Sequence, residues 1–149
     1  MANAASVTIT ATVLPDNIAK SISGSQTVTP GDANDKWYYK FTNVSNSSTN
    51  LMAGYFTDYT GVDDDTAPTA VHTADKVKFL FVKNTDSSND VYINVADGAA
   101  SSSAAGSIKI PAGQSVALQI PNSTVDNIHA ITSTGTVDCI VAALLDDVA

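Results

Sequence analysis

At 149 residues the chain has the length of one domain, enough to bury a sizeable core without a metal or a disulfide. Its 15 acidic residues are all Asp and its 7 basic residues all Lys, so Ser, Thr, Asn, Val and Ala stand where better helix formers could, favouring strands and turns. The net charge of −8 repels phosphate, and no Arg is present to fork onto a base, which argues against nucleic acid as a partner. The single Cys139 cannot form an internal disulfide. No apolar run approaches the roughly 20 residues that span a bilayer, so no membrane partner is expected. The opening "MANAASVTITATVLP" lacks a basic n-region and alternates Thr with Val and Ile, which reads as a strand rather than a leader. Synthesis and folding in a cytoplasm are therefore expected.

In "SVTITATVL" residues Val7, Ile9, Ala11 and Val13 share one face and Thr8, Thr10 and Thr12 the other, the period of a half-buried strand. Residues 1–14 could serve as a strand-like N-terminal arm. "PDNIAKSI" (15–22) could form one helical turn after Asp16. Strand patterns follow in "SISGSQTVT" (21–29), "KWYYKFTNV" (36–44) and "LMAGYFTDY" (51–59). The polar stretch 60–75 is long enough to be a functional or partner-ordered loop. "KVKFLFVKN" and "VYINVA" are expected to pair as a hairpin across residues 85–90. "SIKIPAG", "QSVALQIP" ending at Pro121-Asn122, "NIHAITS" and "TVDCIVAALL" complete the series. About nine or ten short strands at near-regular spacing predict one all-β domain over 1–149, a β-sandwich of jelly-roll-like or immunoglobulin-like connectivity.

Few residues carry chemistry. Asp63, Asp64 and Asp65 form an acidic run that could offer oxygens to calcium, although the spacing is not that of an EF-hand and a solvated acidic loop is the simpler reading. Asp58, Asp75, Asp146 and Asp147 could add ligands if the fold gathers them. His72, His129 and Cys139 lack the short spacing of a zinc site. No Gly-x-Ser-x-Gly elbow occurs, and nothing gives Cys139 an activating base, so no enzyme activity is expected. In "KWYYKF" Trp37 and Tyr39 fall on one side of a strand, Tyr38 on the other with Lys36 and Lys40. One aromatic set is core and the other lies at a surface. Trp37, Tyr38, Tyr55 and Tyr59 are candidates for a protein interface, and Tyr38, Tyr55 and Tyr59, as the lesser alternative, for stacking on sugars.

The segments "VKFLFVKNTDSSNDVYINV", "IKIPAGQSVALQIP" and "ITSTGTVDCIVAALLD", over roughly residues 76 to 146, together resemble the plan of small β-sandwich virion proteins of tailed bacteriophages, including capsid decoration (cement) proteins. In that plan a strand ending in Asn precedes an alternating strand. A Pro/Ala-Gly turn and a Ser/Thr-Gly-Thr turn then introduce the last apolar strands. The resemblance implies many copies on a virion surface, bound to a major capsid protein and to each other as dimers or trimers. It transfers no functional residue. The rival expectation is a carbohydrate-binding β-sandwich of a phage fibre, tail or adhesin, using the tyrosines and a calcium ion at Asp63 to Asp65.

Overall fold

The structure, a computed structural model, describes residues 4–13, 20–56 and 69–148. The chain divides into two compact units, Met1–Asp32 and Ala33–Ala149, where the sequence suggested one domain with a strand-like arm. In the first unit β1 (Ala5–Val13) pairs with β2 (Lys20–Val28) in an unbroken antiparallel ribbon from Ala5↔Val28 to Val13↔Lys20. The helical turn expected over 15–22 lies mostly outside the described residues, and residues 20–22 are strand.

The second unit holds eight strands: β3 (Asp35–Val44), β4 (Thr49–Asn50), β5 (Lys76–Asn84), β6 (Val91–Asn94), β7 (Ile108–Ile110), β8 (Ser115–Thr124), β9 (His129–Thr132) and β10 (Val137–Asp146). They form two four-stranded antiparallel sheets, ordered β3-β10-β5-β8 and β4-β9-β6-β7. The pairs are nested: first strand of the unit with last, second with seventh, third with sixth, fourth with fifth. This is jelly-roll connectivity, which decides between the two sandwich topologies that the strand pattern left open. The sheets enclose a continuous core in which Leu80, Val82, Cys139, Val141 and Leu145 of one sheet meet Val91, Ile93, Ile110 and Ala130 of the other.

Three expectations are corrected. The strands around residues 85–90 are not a hairpin, because β5 and β6 belong to different sheets and the turn carries the chain across the core edge. Alternation fixes which side chains point inward and is silent about which strand is the neighbour. Of "LMAGYFTDY", residues 51–56 form no strand, and 57–59 lie outside the described residues. β4 stops at Asn50, and Leu51 and Met52, adjacent in sequence, are both 1% exposed. The Asn50 side-chain oxygen accepts the Met52 N–H at 3.0 Å and bends the chain so that both enter the core. Finally, β8 runs through Pro121 to Thr124. Its register with β5 breaks between Val77 and Phe79, with Asn122 at φ 63°, so the proline sits at an irregularity on an edge strand, where a missing N–H is tolerated.

Asn84 secures the crossing turn. It is fully buried, donates from Nδ2 to the carbonyls of Asn89 (2.8 Å) and Ile110 (3.1 Å), and accepts the Asp86 N–H at Oδ1 (3.0 Å). Asp86 in turn accepts the N–H groups of Asn89 and Ser88, both at 2.7 Å, which hold its carboxyl below the ordinary value. Asp90 pairs with Lys109 at 2.7 Å, tying the same turn to β7. Asn84→Ala removes the hydrogen bonds to the buried Ile110 carbonyl and the part-buried Asn89 carbonyl and is expected to cost about 2–4 kcal/mol in urea denaturation. A loss under about 0.5 kcal/mol would mean the turn is held by other means.

Candidate interaction surface

The two sheets differ on their outward faces. On β4-β9-β6-β7 the cross-strand rows are Lys109–Tyr92–Ile131 and Asn94–His129–Asn50, mixed and mostly polar. On β3-β10-β5-β8 the three central rows are Trp37–Leu144–Phe79–Gln119, Tyr39–Ala142–Phe81–Ala117 and Phe41–Ile140–Lys83–Ser115, between the polar end pairs Asn43–Asp138 and Asp35–Asp146. Seven of the twelve side chains in the central rows are large apolar or aromatic ones, and Lys83 is their sole charge. Tyr39 and Phe41 are 60% and 59% exposed, while Leu144 and Phe79 are 1% and 2% exposed, although this is the face turned from the sandwich core. Trp37 meets Phe79 edge to face, with ring centroids 6.4 Å apart at 79°. The result is a packed aromatic platform whose outer rings are uncovered, a feature that marks interaction sites on soluble domains.

Of the aromatic residues singled out in the sequence, the structure places Trp37 on this platform, half-buried. Tyr38 is corrected: it is 1% exposed in the core, bonded through its hydroxyl to the Ala53 carbonyl at 3.2 Å, and burial raises its pKa. It can serve neither an interface nor a sugar. Tyr55 is 60% exposed and bridges to Ala70, apart from the platform strands. Tyr59 and Asp63, Asp64 and Asp65 lie outside the described residues. The segment that carries them is closed at its base by Phe56 N–H to Thr69 O (2.9 Å) and Val71 N–H to Gly54 O (2.8 Å). Tyr39 and Phe41 were missed as site residues. The signal was present in Tyr39 sharing Trp37's face, but strand alternation does not tell which face meets the core.

The titratable groups are engaged in structure. Asp75 is fully buried and accepts the N–H groups of His72 (2.7 Å) and Val148 (3.1 Å), so its oxygens hold backbone rather than an ion. Asp146 pairs with Lys78 at 3.5 Å, and Asp147 with Lys36. His72 Nδ1 accepts the Ala74 N–H, and His129 Nδ1 shares a hydrogen with Ser48 Oγ at 3.2 Å. Neither histidine, nor Cys139, belongs to a convergent group of three ligating side chains among the described residues. An open cleft of about 610 Å³ beside the β8 irregularity is lined by Lys76, Lys78, Gln119, Asn122 and Asp146, with no Ser, Thr, Cys or His among the described residues of its wall.

No protein-family model, curated protein or solved structure matches the chain.

Burial, and secondarily the Asp138 charge, push the Cys139 thiol up to about 11, and its side chain is fully enclosed. At pH 8 it is a neutral, inaccessible thiol. A disulfide reagent is therefore expected to leave the native protein unmodified over an hour and to titrate one thiol in denaturant. Rapid native modification would contradict this placement.

Proposed function

We propose that this protein is a non-enzymatic structural component of a virion, a decoration protein on the outer surface of a tailed-bacteriophage capsid, bound to the major capsid protein and to its own copies. The observation that carries the reading is the aromatic outer face of β3-β10-β5-β8, with Tyr39 and Phe41 uncovered beside Trp37, Phe81 and Ile140. A freely diffusing domain gains nothing from such a face, whereas a protein seated on a large neighbour buries it. The jelly roll agrees with this, since viral capsid and lectin domains both use it, though a fold alone assigns no role. Avidity completes the account: contacts too weak to hold one copy in solution hold firmly when repeated over a lattice.

The test is the copy number of the chain in purified particles from its source, measured by quantitative mass spectrometry against the most abundant shell protein. The reading expects a ratio near one or a simple fraction of one. A few copies per particle would place the chain in a tail or fibre and favour the carbohydrate-binding alternative. Absence would overturn the reading.

A further inference from the structure

The ribbon β1–β2 has two chemically distinct faces. Ser6, Thr8, Thr10 and Thr12 of β1 stand opposite Thr27, Ser25, Ser23 and Ser21 of β2, so one face is made entirely of hydroxyl side chains, all exposed. The other face carries Ala5, Val7, Ile9, Ala11, Ile22, Gly24 and Val28, with Gln26 opposite Val7 as its polar member. Its exposed part is a block of four: Ile9 opposite Gly24, then Ala11 opposite Ile22. Ile9 and Ile22 are 55% and 63% exposed, and a hollow of about 360 Å³ lies among them and Gly24. A Cβ on Gly24 would meet nothing within 4 Å, so the described residues leave the hollow unfilled.

The block is a checkerboard, large beside small along both the strand and the rung. A two-fold axis lying in the plane of this face, whether along the strands or across them, sets each Ile of one copy over the Gly or Ala of the other. Isologous contacts require this kind of self-complementarity. Charge permits it: neither strand contains a carboxylate, in a chain of net charge −8, and Lys20 at the start of β2 is the one charged residue of the pair. The need is there as well, because a two-stranded ribbon is marginal in water until one face is covered.

We propose that the β1–β2 ribbon is a self-association element, stacking its Ile9/Ile22 face on the same face of a second copy, with the hydroxyl faces outward. This rests on the structural reading above and names one of its contacts, that between copies. Nine rungs give roughly 30 Å of length and about 300 Å² per copy, well below the roughly 800 Å² per partner of a standard stable interface. The contact is therefore weak and concentration-dependent in solution, and lattice repetition supplies its strength.

Sedimentation equilibrium of the full chain, from micromolar to about 1 mM, tests it. The wild type is expected to self-associate, and Ile22→Asp to weaken association by about tenfold or more. Gly24→Val distinguishes shape from stickiness: it adds apolar surface and strand propensity yet fills the hollow, so the stacking requires weaker association. Ser23→Lys, on the hydroxyl face, leaves association unchanged and reports that a charge on the ribbon is tolerated. Amide hydrogen exchange over β1 and β2 at low concentration checks that each variant keeps its ladder. A wild type that stays monomeric throughout, an Ile22→Asp that associates undiminished, or a Gly24→Val that associates more tightly would each overturn the proposal. So would a monomeric chain whose binding to empty shells is lost in Ile22→Asp, because the ribbon's occupant would then be the shell. Failure here leaves the virion reading intact if the chain is stoichiometric in particles. Conversely, ribbon-dependent association of a chain absent from particles would sink that reading alone.

Discussion

Strand β10 is apolar on both faces, and covering both is the constraint on which the rest of the larger unit depends. Its inward residues Cys139, Val141, Ala143 and Leu145 are fully buried against the second sheet, which is what a sandwich provides. Of its outward apolar residues Leu144 is covered fully and Ile140 and Ala142 only in part, beside the rings of Trp37, Tyr39 and Phe41 on β3 and of Phe79 and Phe81 on β5. A central strand of a one-sided sheet ordinarily alternates apolar with polar. Here the outward polar residues of β10, Asp138 and Asp146, stand only at its two ends, and along the middle the aromatic neighbours move the apolar surface outward rather than ending it.

The same logic explains what is rigid. The nested pairing of the jelly roll makes nearly every contact long-range, so the crossings between sheets must be fixed locally or the register slips. Asn84 and Asp86 do this at the crossing between β5 and β6 by occupying backbone groups that would otherwise lack partners. Asp75 does it near the end of the chain, where its carboxylate joins His72 to Val148. These polar residues are framework. With Cys139 enclosed and the histidines bonded locally, the described surface offers shape and apolar area rather than reactive groups.

Much of this was legible in the sequence. The all-β class, the strand count and the positions of β1, β2, β3, β5, β9 and β10 follow from alternation and turn residues. Connectivity did not, because a period of two is the same whichever strand lies alongside, and so β5 and β6 read as a hairpin. The end of β4 was hidden because Leu51 and Met52 look like strand residues until their joint burial is seen. Tyr38 and Tyr39 could not be assigned to core and surface from spacing alone. The checkerboard of the ribbon was invisible for a related reason: Ile9 and Gly24 become neighbours only when the register of β1 with β2 is known.

The central claim is that the Tyr39/Phe41 face is covered in the assembled particle. Hydroxyl-radical footprinting of the free chain and of intact particles measures it directly. The account predicts strong oxidation of Tyr39 and Phe41 in the free chain and marked protection of both in the particle, while Tyr38 stays unlabelled in each. Equal labelling of Tyr39 and Phe41 in the two states would contradict it.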